Sequence, residues 1–251
     1  MSHHVVEARN LRHVYADGTV ALDGVSFRIT HGESVGIIGA NGAGKSTLLQ
    51  HLNGHLSATD GEVRIGDIPV VKGTLREIRR SVGMVFQDAD DQLFMPTVRD
   101  DVAFGPRNLG IPPHDVETCV ADALEQVGAA HLCDRPPYRL SGGEKKRVAI
   151  ATVLSMTPDI LVMDEPTSGL DPHARRQLIA ILKNFQHTKI IASHDLDMIL
   201  EVCSRIVILS DGSVMADGEP GHIFNNSELL AECRLEMPLS MQGCPICSRP
   251  A

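Results

Sequence analysis

The chain has 251 residues, 43% of them hydrophobic and 22% charged, which is enough length and apolar content for one large domain with a substantial core. A formal net charge of −9 without any strongly basic block argues against a surface that coats nucleic acid, so no nucleic-acid partner is expected. No apolar run reaches the ~18 residues of a membrane span, and the opening Met-Ser-His-His-Val-Val-Glu lacks the basic and apolar regions of a secretory signal.

Residues 5–11 and 21–29 alternate apolar and polar side chains, the period of half-buried strands. Tyr15-Ala-Asp-Gly-Thr19 joins them, with Asp17-Gly18 as the turn signal. Residues 61–66 alternate likewise, so the three stretches predict a small antiparallel sheet. Between them, the apolar run Ser34–Gly39 reads as a buried strand, and Leu48–Leu52 has helical apolar spacing. The stretch joining strand to helix is Gly39, Ala40, Asn41, Gly42, Ala43, Gly44, Lys45, Ser46 and Thr47, the pattern G-x-x-x-x-G-K-S in the context that makes it a phosphate site. Its glycines let the backbone curl so that several N–H groups face one anion, and the helix starting near Lys45 adds its positive end. Lys45 is placed to reach the β- and γ-phosphates, and the Ser46 hydroxyl to ligate Mg²⁺. The chain is therefore expected to bind a nucleoside triphosphate.

A basic helix over 74–80 precedes a buried strand, Val82–Gln87, that ends on a glutamine. Asp88–Gln92 is acidic and loop-like. A Pro/Gly loop is expected at Gly105-Pro106 and at Gly110–Pro113, followed by an amphipathic helix over Val116–Val127. The second half alternates strands (Ile160–Met163, Lys189–Ala192, Ile206–Leu209) with helices (Arg175–Asn184, Leu196–Val202), which implies a parallel sheet covered by helices. Asp211-Gly212 predicts a closing hairpin. These elements predict an α/β fold with a P-loop NTPase (RecA-like) core, an antiparallel β subdomain and a helical subdomain. The expected organisation is one domain over 1–229, its core formed by 1–87 and 157–229 around a helical insertion at 88–156, then a tail from 230 to 251.

Asp164 and Glu165 end an apolar strand at the sheet edge where open α/β sheets bind ligands. Asp164 would hold Mg²⁺ through its water shell, and Glu165 would polarise a water aimed at the γ-phosphate. Residues 190–194 present His194 at the same edge. Ser141, Gly142 and Gly143 form a second anion cradle at a helix start, with Glu144 close to capping-box position. Two cradles beside a single Walker lysine make sense if one of them serves a neighbouring subunit.

Gly39–Thr47, Gln87, Leu140–Glu144, Asp164-Glu165, Ser168–Asp171 and His194 stand in the order found in ATP-binding cassette (ABC) ATPases, and the chain resembles that family over roughly residues 5–225. The resemblance implies a head-to-tail dimer with two ATPs between the subunits, each touching Gly39–Thr47 of one chain and Ser141–Gly143 of the other. It further implies adenine stacking by Tyr15, Mg²⁺ and water sensing by Gln87, a general base at Glu165, cross-dimer signalling by Asp171 and a γ-phosphate contact from His194. Residues 91–110 resemble the corresponding region of energy-coupling factor (ECF) importers of cobalt, nickel and vitamins, and residues 140–151 are similar to the same group.

What this resemblance implies is an ATPase on the cytoplasmic face of the membrane. Its partners would be an integral-membrane transport subunit with cytoplasmic coupling helices and a substrate-binding membrane component. Vitamin-type members pair two different ATPases and carry a longer C-terminal extension, so an end at residue 251 favours the cobalt/nickel branch and a homodimer. The alternatives are a vitamin-importer ATPase and a soluble, non-transport ABC ATPase. Cys244-Pro-Ile-Cys247 is half of a tetrahedral thiolate site, with Cys233 upstream, and paired tails of a dimer could complete a site for Zn²⁺ or Ni²⁺; the competing reading is a reduced, mobile tail.

Overall fold

The expected alternation folds as an antiparallel sheet in the computed structural model, which describes residues 6–242. Strands β1 (Val6–Val14), β2 (Val20–Ile29), β4 (Asp60–Ile65) and the two-residue β5 (Ile68–Pro69) lie in the order β2-β1-β4-β5. Val6, Ala8, Leu11, Val25, Phe27 and Ile29 occupy the buried face of β1 and β2. They pack with helix α1 (Lys45–Leu52) into one apolar cluster, so the sheet rests on the helix that follows the glycine loop.

The second sheet has six strands in the order β10 (Ser213–Gly218), β9 (Arg205–Ser210), β3 (Ser34–Ile38), β8 (Thr188–Ala192), β7 (Ile160–Asp164) and β6 (Val82–Val85). Its central strands β3, β8 and β7 are almost wholly buried, as continuous apolar runs in a parallel sheet should be. Parallel register sets Ile37 beside Ala192, Asp164 beside Ala192, and Val85 of β6 beside Met163. One edge therefore gathers the ends of four strands, which deliver the glycine loop, Gln87, Asp164-Glu165 and Ser193-His194 together. Strand β6 stops at Val85, two residues short of the expected end, which leaves Phe86 and Gln87 in a loop. The hairpin at Asp211-Gly212 joins β9 to β10.

The helical layer corrects one expectation. Gly105-Pro106 does not form a loop; both residues lie inside α3 (Val98–Leu109). A proline there cannot donate to the carbonyl of Val102, one turn back. The buried hydroxyl of Ser155, at the end of α5 (Gly142–Leu154), lies 2.9 Å from that oxygen and shares its proton with Thr152 O at 3.0 Å. A Cβ on Gly105 would stand 2.6 Å from Met156 Sδ. The apparent helix breakers are thus the residues that let α3 approach α5 closely. Ser155→Ala is expected to lower stability by ~1–2 kcal/mol by leaving the Val102 carbonyl buried and unpaired, and urea unfolding measures it. An unchanged midpoint would show that some other group, or water, satisfies Val102.

Residues 230–242, expected as the start of a tail, pack on the core. Helices α8 (Pro220–Phe224) and α9 (Ser227–Glu232) follow the hairpin, with Leu230 and Cys233 buried. Leu235, Met237 and Met241 pack on the same core, and Ser240 N–H donates to Asp197 at 2.9 Å. Burial, with the neighbouring Glu232 charge, pushes the Cys233 thiol pKa up, and the side chain is part of the core rather than of a surface site. Cys244 and Cys247 lie outside the described residues.

Candidate functional site

At the carboxyl edge of the six-stranded sheet lies a cleft of about 520 Å³. Tyr15, Asn41, Gly42, Gly44, Lys45, Ser46, Thr47, Gln87, Glu165 and His194 all line it. An adjoining cleft of about 610 Å³ shares Ser46 and Gln87 and extends to Asp164 and Gly142.

Gly44 is the N-cap of α1 at φ 100°, so the first-turn amides face the cleft without a side-chain cap. A Cβ at this position would lie 2.5 Å from Ala21 O and 2.9 Å from Leu22 Cδ2, so only glycine fits. Gly39, Ala40 and Ala43 shape the loop from below: Ala43 N–H donates to Ala40 O, and Lys45 Nζ donates to Gly39 O at 2.8 Å and to Ala40 O at 3.1 Å. Two of the three ammonium protons are therefore held by the loop and one remains for a phosphate. Burial lowers the Lys45 pKa, opposed by the charges of Glu165 and Asp164.

Ser46 lies close enough to Asp164 to favour its ionised form, and Asp164 Oδ1 is buried without a hydrogen-bond partner. Burial, with the neighbouring Glu165 charge, raises the Asp164 pKa, while Ser46, Lys45 and Lys146 oppose the rise. An unpaired buried carboxylate oxygen is what a cation or its water shell would satisfy. A hydroxyl, a carboxylate and the Gln87 carboxamide are the oxygen donors that suit a hard cation. The residues present fit Mg²⁺.

Glu165 is buried and sits at φ 44°, a left-handed conformation costly for a side chain with a Cβ. Its N–H donates to Ala192 O at 2.9 Å. Its Oε2 accepts from Ser193 Oγ at 3.1 Å, from His194 N–H at 3.1 Å and from His194 Nδ1 at 2.7 Å. This holds the carboxylate in one orientation, and the exposed His194 ring keeps Nε2 for a ligand. Asp195 N–H donates to Ser193 Oγ in turn.

Tyr15 is 40% exposed, its hydroxyl 2.9 Å from Thr47 Oγ1 and its ring edge-on to His13 with centroids 4.7 Å apart. The ring is anchored at one end and available at its face. Ser141, Gly143 and Asp171 do not line the nucleotide cleft. Ser141 caps α5 in a full capping box, its N–H donating to Glu144 Oε2 at 2.8 Å. The second cradle therefore offers the Gly142 and Gly143 amides rather than all three. Asp171 Oδ1 caps helix α6 (Pro172–Asn184) by accepting from His173 N–H and Ala174 N–H.

Three residues that sequence reasoning did not single out also support the site. Ser193, next to His194 at the end of a buried strand, carried a signal in its position. Lys146, buried on α5, donates to Gln87 O at 2.7 Å and to Phe86 O at 3.3 Å. Gln92 accepts from Phe86 N–H and donates to Ala149 O and Thr152 Oγ1. Neither of these two had any local signature. Among the described residues no helix is long and apolar enough to cross a membrane.

The family model described as ABC transporter matches residues 22–168. The chain is 71% identical over 249 residues to a putative ABC transporter ATP-binding protein of Geobacter sulfurreducens, covering 99% of this chain and 100% of that one. It is 48% identical over 239 residues to the energy-coupling factor transporter ATP-binding protein EcfA of Methanothermobacter thermautotrophicus, covering 93% of this chain and 77% of that protein. Among solved structures, cbiO1 of Clostridium perfringens, described as part of the ABC transporter complex cbiONQ, superposes with a TM-score of 0.80 at 38% identity over 92% of this chain and 94% of that one. The ATP-binding cassette MJ0796, solved as a dimer bound to ADP and Pi, superposes with a TM-score of 0.78 at 28% identity over 86% of this chain and 98% of that one.

Proposed function

The chain belongs to the ABC transporter family and is the ATP-binding, ATP-hydrolysing subunit of a transporter, and from that premise we propose that it powers an importer of cobalt or nickel ions. The observation that carries the catalytic part is the convergence of Tyr15, the glycine loop, Gln87, Glu165 and His194 on one cleft. Tyr15 stacks on adenine while the loop amides and Lys45 hold the phosphates. Mg²⁺, held by Ser46, Asp164 and Gln87, would neutralise charge between the β- and γ-phosphates. Glu165 takes the proton of the attacking water, and His194 donates to the γ-phosphate through Nε2. Gly142 and Gly143 serve the partner of a head-to-tail homodimer, with Asp171 at the same interface; this reading is supported by Gly142 lining the adjoining cleft rather than the one that holds Tyr15.

The importer reading is supported by the likeness to EcfA proteins and cbiO1. It is also supported by two features of the stretch that follows Gln87: exposed Phe94 and Phe104 meet edge-to-face at 5.0 Å, and Asp90 and Asp91 line the adjoining cleft with Gln87. An exposed aromatic pair that follows acidic residues in the chain suits a short amphipathic basic helix from a membrane subunit. Closure of the dimer on ATP then moves this surface and the helix seated on it. A pull-down of the tagged chain from detergent-solubilised membranes of its own host tests the reading. Recovery of a polytopic subunit and a cobalt- or nickel-binding membrane protein supports it. Recovery of a second, different ATPase favours a vitamin importer, and recovery of ribosomes or DNA alone overturns the transport role.

The Mg²⁺ assignment makes its own prediction. Folding raises the Asp164 pKa, so its carboxyl lowers the stability of the fold as pH rises above the ordinary carboxylate range, and that loss is in force at neutral pH. Asp164→Asn is expected to raise the melting temperature of the nucleotide-free protein and to remove most of the extra stabilisation that Mg²⁺–ATP confers. Thermal melts with and without Mg²⁺–ATP measure both, and an undiminished Mg²⁺–ATP effect would take Asp164 out of the metal site.

A further inference from the structure

The segment after β6 carries Gln87 but has little regular structure of its own, only one 3-10 turn over Ala89–Asp91. Its position is set from outside, by α5. Lys146 binds the carbonyls of Phe86 and Gln87, Gln92 ties the Phe86 amide to Ala149 and Thr152, and Lys145 Nζ pairs with Asp90 Oδ1 at 2.6 Å. Of these links, Lys146 is the one made directly to Gln87. Its side chain is 4% exposed, and its ammonium lies in the field of Asp88, Asp164 and Glu165. The same helix begins with Gly142 and Gly143, less than two turns from Lys146. A displacement of α5 is therefore passed to Gln87 through two hydrogen bonds.

We propose that Lys146 is a positioning residue for ATP hydrolysis: it sets Gln87 in the site from helix α5, so that Gln87 is correctly placed only when the Gly142–Gly143 cradle on that helix is. This inference rests on the assignment of Gln87 to the Mg²⁺ and water site. A chain whose cradle has not engaged then keeps its own Gln87 out of register, which links the two ends of one subunit without contact between them.

The test compares Lys146→Met, which fills the space without donors, with Lys146→Gln, whose amide can donate to the same two carbonyls. The probe is a fluorescent ATP analogue titrated in EDTA and in Mg²⁺, alongside steady-state hydrolysis. Lys146→Met is expected to bind the analogue in EDTA within about two-fold of wild type, because the glycine loop is untouched. It is expected to lose most of the Mg²⁺-dependent gain in affinity and to lower kcat by roughly ten- to a hundred-fold with little change in KM, the scale of an ångström-level misplacement. Lys146→Gln is expected to recover most of both. Wild-type values in Lys146→Met, or a Lys146→Gln variant as defective as Lys146→Met, would overturn the proposal. Gln87→Ala, measured in parallel, separates the two layers. If it keeps the Mg²⁺ effect and kcat, the Gln87 assignment falls and this inference with it. If it loses them while Lys146→Met does not, only the role of Lys146 falls. Should Lys146→Met fail to fold, Lys146→Ser, which admits water from the adjoining cleft, is read by the same criteria.

Discussion

Glu165→Gln is expected to lower ATP hydrolysis by about 10²- to 10⁴-fold, the range for loss of a positioned general base, while ATP binding stays intact. Glutamine has the shape of glutamate, and its carbonyl oxygen can accept the three bonds that Oε2 takes from Ser193 and His194. The other position becomes an NH₂ group, which cannot accept a proton from water. The site would thus keep its geometry and lose one chemical step. Because the proposed dimer closes on ATP and this variant would not consume it, ATP is also expected to accumulate a stable dimer of this variant, visible by size-exclusion chromatography. Single-turnover hydrolysis at the wild-type rate would remove Glu165 from the base role, whatever the dimer does.

Lys45→Ala carries the largest expected effect on binding. A charge-assisted hydrogen bond contributes ~1.5–3 kcal/mol, so affinity for ATP should fall about ten- to a hundred-fold. Nucleotide-free stability should change far less. The ammonium is buried against its preference, so removing it relieves a desolvation penalty at the same time as it breaks the bonds to Gly39 and Ala40. Equilibrium titration with a fluorescent ATP analogue, paired with a denaturant melt, reads the two effects separately. Equal affinity for wild type and variant would mean that the loop amides alone hold the phosphates. Lys45→Arg is not a conservative control here, because the wider planar guanidinium cannot occupy the space between the two carbonyls.

Most of the framework was legible because its signals are local. Alternation located β1, β2 and β4, continuous apolar runs located β3, β7 and β8, and Ser141 with Glu144 foretold a capping box that forms in full. Much of the cleft was legible for the same reason, since the glycine loop, Glu165 and His194 follow closely on buried strands. Gly105-Pro106 was misread because the rule that glycine and proline break helices is itself local. The hydroxyl of Ser155 and the bulk of Met156, about fifty residues away in sequence, reverse its outcome. Lys146 and Gln92 escaped notice because nothing within a few residues of a lysine or glutamine says that a distant loop will bring backbone groups to it. Cys233 looked like a spare thiol ligand beside the distal pair until the packing of α9 placed it in the core.

The left-handed backbone at Glu165 has a consequence for heredity as well as for chemistry. Most substitutions that silence an enzyme also unfold it, and the cell clears the damage through proteolysis. Here the native side chain already bears a conformational penalty, and exchange for glycine or asparagine would relieve it, since both tolerate φ near 44°. An inactivating change at this position therefore escapes quality control. In the homodimer proposed above, the silent subunit would persist, pair with healthy copies and occupy their membrane partners. A single defective allele would act dominantly, poisoning mixed assemblies in proportion to its dose.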